Sequence, residues 1–260
     1  MTEELQVERR GHVLVVTVNR PERMNALNQA VYDGLEATWS SVREDPEVRA
    51  IVITGAGDRA FSVGMDLKDF AARGGPRPAK ADVKDELKAS PLSCDVWLPT
   101  IVAVNGVCTG AGYHLISEAD IVVASTNASF LDTHVSVGQV TALEPISLIP
   151  RIGLGNALRM TVLGRHGRMD AQEALRISLV DEVVEPERLL DRAIELAELC
   201  ATGSPAAIEV SKRAVWAAVE RPLGEAMQYG WELLLGHRTH PDSQEGPMAF
   251  AEKRDPRWQR

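Results

Sequence analysis

Short runs of β-branched residues recur through the first two-thirds of the chain, and beyond Gly153 a three- to four-residue apolar period takes over. Leu5 to Val7 and His12 to Val18 flank Gly11, a pattern that predicts an opening hairpin. From Asn25, a good cap residue, Leu27, Val31, Leu35 and Trp39 recur at helical spacing to about Val42, so an amphipathic helix is predicted there. Ala50-Ile51-Val52-Ile53-Thr54 reads as a buried strand stopped by Gly55-Ala56-Gly57, and Thr100 to Val104 and Asp120 to Ala124 read likewise. Helices are predicted at Asn156–Leu163, Ala171–Ile177, Glu187–Cys200, Ala206–Val219 and Leu223–Leu235. The repeated order of strand, turn and helix predicts an α/β chain with a largely parallel sheet flanked by helices. A division between core and helical tail is expected near residues 185–205. Ala71 to Asp82, with Gly74-Gly75-Pro76-Arg77-Pro78, has no periodic face and is expected to be a surface loop, either a lid or a plain connection.

Candidate chemistry enters at two segments where an apolar strand ends in a glycine-bearing turn. These are Ala60-Phe61-Ser62-Val63-Gly64-Met65-Asp66-Leu67 and Val104-Asn105-Gly106-Val107-Cys108-Thr109-Gly110-Ala111-Gly112. Such turns leave main-chain N–H groups free, and paired donors aimed at a carbonyl can hold a developing oxyanion, each worth roughly 3 kcal/mol. Either turn alone is more simply a link between a strand and a helix.

Composition narrows the field. The chain has 260 residues, 45% hydrophobic and 25% charged, as expected of a soluble globular core. A net charge of −9 repels a phosphate backbone, so no nucleic-acid partner is expected. Three widely spaced cysteines, Cys94, Cys108 and Cys200, indicate neither a disulfide framework nor a zinc site, and no metal is expected. With no uninterrupted apolar run of membrane-spanning length and no apolar segment at the amino terminus, no membrane partner and a cytoplasmic location are expected.

Five motifs occur in order: Asn19-Arg20-Pro21-Glu22-Arg23-Met24-Asn25-Ala26-Leu27, Arg59-Ala60-Phe61-Ser62-Val63-Gly64-Met65-Asp66-Leu67, Pro99-Thr100-Ile101-Val102-Ala103-Val104-Asn105-Gly106, Asp120-Ile121-Val122-Val123-Ala124 and Leu179-Val180-Asp181-Glu182-Val183-Val184. Together they resemble the enoyl-CoA hydratase/isomerase (crotonase) superfamily over nearly the whole chain. The resemblance implies a repeated ββα core, placed at 1–195, and a helical C-terminal oligomerisation region at 196–260 that forms a homotrimer or homohexamer. It implies acyl-CoA substrates of the kind met in fatty acid metabolism, with coenzyme A as part of the substrate and no other cofactor. The oxyanion donors would be the amides of Met65 and Ala111. Arg23, Met24, Ala26, Val63, Asp66 and Leu67 match stretches that line the pantetheine and adenine sites. Phe250 and Lys253 match a segment that brings an aromatic ring and a lysine to the nucleotide, where an ammonium suits phosphate as a point charge.

The departures from the family change the chemistry. Where its hydratases carry two water-holding glutamates, this chain has His114 and His134. Imidazole titrates near neutrality and suits proton transfer, whereas simple alkene hydration loses its carboxylate pair. Asp132, two residues before His134, could fix the imidazole tautomer. Glu144 is read first as a helix-start carboxylate before Pro145 and second as a possible acid. The expected function is therefore an acyl-CoA-processing enzyme that stabilises a thioester enolate or tetrahedral oxyanion and uses histidine acid/base chemistry. A hydrolase of thioester or carbon–carbon bonds on the same fold is one alternative. A non-catalytic CoA-binding paralogue is the other.

Overall fold

The computed structural model describes residues 3–72, 83 and 88–259. The opening hairpin forms as its pattern predicts, with β1 (Leu5–Arg10) antiparallel to β2 (Val13–Val18) and Leu5 opposite Val18. From β2 the main sheet continues in parallel through β3 (Ala50–Gly55), β5 (Thr100–Val104), β7 (Ile121–Ser125) and β10 (Glu182–Val184), in the order β1-β2-β3-β5-β7-β10. Strands β3 and β5 are buried along their whole length, which is why they read as continuous β-branched runs.

Strand alternation divides the interior in two. Ile51 and Ile53 face a core shared with Val31, Leu35 and Trp39 of helix Gln29–Glu44, while Ala50 and Val52 face Ala193, Ala197 and Ala201 of helix Leu189–Ala201. Trp39 is fully buried and its indole N–H donates to Ala89 O at 2.8 Å, so the largest core side chain is satisfied as well as packed.

A second sheet of short strands determines where the site lies. It runs β4 (Ala60–Ser62), β6 (Val107–Cys108), β8 (Ser129–Phe130) and β9 (Met169–Asp170), in that order, with the first two pairings parallel. Strands β3, β5 and β7 each lead into a short strand of this sheet, which gives the repeated crotonase-like ββα units. Because β4 and β6 lie side by side and run the same way, the turns that follow them emerge together.

The structure corrects several expectations. Helix Gln29–Glu44 is capped by Asn28, whose side-chain oxygen accepts from Val31 N at 3.0 Å. Asn25 instead adopts a left-handed conformation, is buried, and donates to the carbonyls of Ala56 and Ala60 at 2.9 and 2.7 Å. Asn at a positive φ with a local hydrogen bond is a turn residue, and only the partners in the 55–60 loop distinguish it from a cap. Helical residues extend from Leu143 to Leu163, interrupted at Gly153, where φ is 74°. Helix Leu189–Ala201, in which residue 195 lies, contributes Ala197 and Ala201 to the core. The helical region beyond it comprises Pro205–Glu220, Leu223–His237 and Asp242–Glu252, the last of which the apolar pattern did not disclose. Ala71 and Ala72 end helix Leu67–Ala72, and the remainder of the expected Ala71–Asp82 loop lies outside the described residues.

Candidate active site

The two turns meet in van der Waals contact. Gly64 has φ of 80°, a region open to glycine, and a Cβ placed on it would stand 2.8 Å from the Ala111 nitrogen and 3.1 Å from Thr109 O. Around Met65 the chain is stitched to the Arg20–Leu27 segment by Leu27 N to Gly64 O at 2.7 Å and Asp66 N to Leu27 O at 3.0 Å. Those bonds take up the groups on either side of Met65. Among the described residues, neither the Met65 nor the Ala111 amide donates a backbone hydrogen bond. Two unspent donors thus emerge from adjacent turns, and the Ala111 amide lies in the 3-10 turn Gly110–Gly112 that opens helix Tyr113–Ser117. Unspent N–H groups at a helix start attract negative charge.

Side chains converge beside this cradle. His114, 9% exposed, lies in helix Tyr113–Ser117, which packs on the helical segment beginning at Leu143. His134 comes from the segment after β8, and its Cε1 lies 3.6 Å from where a Gly110 Cβ would be. Asp132 is completely buried: its Oδ1 accepts from the His134 backbone N at 2.8 Å and the ring Nδ1 at 3.0 Å, and its Oδ2 accepts from Thr141 Oγ1 at 2.8 Å. The Asp132–His134 contact is therefore present, within an irregular loop. With Nδ1 carrying the proton donated to Asp132, the Nε2 edge of His134 is left for chemistry.

Glu144, also 9% exposed, occupies a more central position than its sequence context suggested. Its Oε1 lies 3.5 Å from His114 Nε2 and 3.9 Å from His134 Nε2. No local pattern signals this, because Glu144 reaches the histidines only when its helix packs on Tyr113–Ser117. Burial pushes the Glu144 carboxyl up, but the hydrogen bond and charge of His114, its own helix-start amide and the charge of His134 outweigh burial and hold it below the usual range. The Asp132 side chain raises the His134 pKa above the ordinary value, against burial and with help from Glu144. Asp132 is itself lowered, burial being outweighed by its bonds to His134 and Thr141. Thr141 is a site residue that sequence reasoning missed, since a threonine in a loop carries no distinguishing signal.

The residues matched to coenzyme A divide by location. Met24, with φ of 54°, accepts from Val63 N at 3.2 Å, so Arg23, Met24 and Ala26 border the first turn together with Val63. Arg23 is exposed and makes no ion pair among the described residues. Asp66 is fully engaged: it pairs with Arg20 at 2.8 Å and accepts from Lys68 N and Asp69 N at 3.0 and 3.2 Å. These bonds cap helix Leu67–Ala72 and anchor Arg20. The Leu67 side chain lies outside the described residues. Phe250, 88% exposed, and Lys253 stand at the end of helix Asp242–Glu252, which packs on Pro205–Glu220. No hydrogen bond or ion pair links either to the two turns among the described residues.

Comparison with known proteins agrees with this architecture. The family model for enoyl-CoA hydratase/isomerase matches residues 8–260. An (E)-benzylidenesuccinyl-CoA hydratase of Thauera aromatica is 35% identical over 249 residues, covering 95% of each chain. A carnitinyl-CoA dehydratase of Citrobacter koseri is 36% identical over 265 residues, covering 99% of each. The crystal structure of an enoyl-CoA hydratase/isomerase from Mycobacterium paratuberculosis superposes with a TM-score of 0.90 at 35% identity, covering 98% of each chain. The chain belongs to the enoyl-CoA hydratase/isomerase, or crotonase, superfamily, an assignment that the fold and the paired turns independently support.

Proposed function

We propose that this chain is an acyl-CoA-processing enzyme in which the amides of Met65 and Ala111 hold the thioester oxygen while His114 and His134 move a proton at the neighbouring carbon. The observation that carries this reading is the meeting of two unspent amides with the imidazole of His134 beside the same Gly64–Gly110 contact. Negative charge drawn from the α-carbon as a C–H bond breaks would reside on the thioester oxygen, where fixed donors stabilise it without reorganising. The raised His134 pKa suits this imidazole to the role of acid, which leaves the base to His114. Isomerisation, which needs only proton relocation, fits a site with imidazoles in place of a water-holding carboxylate pair. The relatives named as a hydratase and a dehydratase favour reversible water addition as the second reading, through the same oxyanion.

Coenzyme A enters this reading as part of the substrate, with Arg23 positioned for its phosphates and no separate cofactor required. The exposed apolar residues Val215, Leu223, Met227, Trp231 and Leu234 on the C-terminal helices support assembly into a homotrimer or homohexamer. Among the described residues no helix is long and apolar enough to cross a membrane. The test is turnover of a panel of acyl-CoA thioesters by the wild-type protein and by His114→Ala and His134→Ala. Loss of a general acid or base is expected to lower kcat by roughly 10²- to 10⁴-fold with binding retained. Equal turnover by all three proteins, or failure of every ester to bind, would overturn the reading.

A further inference from the structure

Glu144 is a buried carboxylate whose charge has an unusual set of neighbours. Among the described residues no lysine or arginine pairs with it, and the basic side chains facing it are His114, from helix Tyr113–Ser117, and His134, from the segment after β8. A carboxylate withdrawn from water needs a compensating charge or hydrogen bonds. Its place in the first turn of a helix and its own amide supply part of that compensation. The remainder has to come from imidazole.

Other ionisable groups nearby are already committed. Asp132 spends both oxygens on His134 and Thr141. Glu118, beyond the end of the His114 helix, is bound to the Ser90 hydroxyl and accepts from Ser93 N at 3.1 Å. Tyr113 and Cys108, which complete the local set among the described residues, are fully buried, and burial pushes both above their ordinary ranges, leaving them neutral. Among the described residues Glu144 is thus the one carboxylate that faces the Nε2 atoms of both histidines, with a single oxygen directed at the pair.

We propose that Glu144 is a positioning residue for proton transfer: a shared counter-ion that holds the Nε2 edges of His114 and His134 toward one another and keeps one proton between the two imidazoles. This rests on the proton-transfer reading above and adds a role that the family resemblance did not supply. A neutral pair would leave Glu144 buried without a cation, and a doubly protonated pair would place two like charges on one carboxylate oxygen. One shared positive charge satisfies the geometry, and it leaves one imidazole able to accept a proton while the other can donate one.

The experiment is an NMR titration of the His114 and His134 rings in wild type, Glu144→Gln, Glu144→Asp and Asp132→Asn, accompanied by pH profiles of kcat/KM. In Glu144→Gln the His134 titration and the alkaline limb of the profile are expected to move down by roughly 1 pH unit, since an opposite charge within a few ångströms is removed. Near the limb kcat should fall roughly tenfold while KM for the CoA ester stays near its wild-type value. Glu144→Asp should keep the raised titration, because the charge remains. Asp132→Asn should lower the His134 titration, because the nearest opposite charge is removed. Unchanged ring titrations in Glu144→Gln would overturn the proposal, as would a Glu144→Asp protein in which His134 titrates like free imidazole. The titrations can be read even if the protein turns over no acyl-CoA, so that result would count against the proposed reaction without deciding the role of Glu144. If Glu144→Gln does not fold, His114→Gln decides: with the competing imidazole gone the His134 titration should move up, and an unmoved His134 would overturn the proposal.

Discussion

The main-chain cradle at Met65 and Ala111 and the side-chain cluster of His114, Asp132, His134 and Glu144 lie against each other, yet they are specified in opposite ways. The cradle uses backbone N–H groups, so the side chains at 65 and 111 matter little. What matters is that Gly64 can take a positive φ with no Cβ in the way and that β4 and β6 run side by side. The cluster uses four side chains carried by three segments, and its geometry depends on the packing of a helix that begins near Leu143. A cradle of this kind tolerates side-chain change but not backbone change. A cluster of this kind behaves the other way round.

That contrast can be broken first at the scaffold of the cradle. Arg20 and Asp66 pair at 2.8 Å with both side chains 8% exposed, so Asp66→Ala leaves a buried guanidinium short of one partner. Removing one partner of a buried pair costs about 3–5 kcal/mol. The low end is expected here because Glu4 still meets Arg20 at 3.0 Å, and denaturant unfolding would check it. Gly64→Ala comes next: strain at φ of 80° and a contact of 2.8 Å with the Ala111 nitrogen should displace a donor. The expected loss in kcat is roughly 10²- to 10³-fold, that of a lost oxyanion donor. Turnover close to wild type in this variant would show that the cradle is not where charge develops.

The cluster responds to pH. His134 has a folded pKa raised by Asp132, so its contribution to stability is fully present below the ordinary imidazole value of about 6.5 and is lost as pH rises through the raised folded value. Asp132 and Glu144 have lowered folded pKa values, so theirs is present above the ordinary carboxyl range of about 4 and is lost as pH falls through the folded values. Thermal melts of wild type against Asp132→Asn should therefore differ most between about pH 4 and 6.5 and converge at both extremes. A difference independent of pH would indicate that Asp132 acts only through packing.

The smallest effect is expected at Thr109, next to the second turn, whose Oγ1 is buried without a hydrogen-bond partner among the described residues. Thr109→Val removes a hydroxyl that gains nothing in the fold, so stability should be unchanged or rise by up to about 1 kcal/mol. A large loss of turnover in this variant would move Thr109 into the site as a ligand contact.

Residues differ in how plainly the sequence announced them. The two glycine turns were readable because positive φ and close approach demand glycine locally, and the histidines stood out because they fall where the family resemblance places chemistry. Asn25 was misread as a cap because its partners, the carbonyls of Ala56 and Ala60, are remote in sequence. Glu144 reads as a helix-start carboxylate, which it is, but its approach to both histidines depends on contacts across the fold.

By itself the sequence determined the alternation of buried strands and amphipathic helices, the two turns that can free an amide, and the exchange of glutamates for histidines. These follow from periodicity, from the steric uniqueness of glycine and from residue identity, all of which are local. The tertiary structure alone decided that the two turns touch, that Asp66 is spent on Arg20, and that one buried carboxylate stands between two imidazoles. Those facts are distances between segments far apart in the chain, set by how sheets pair and helices pack, and no local pattern encodes them.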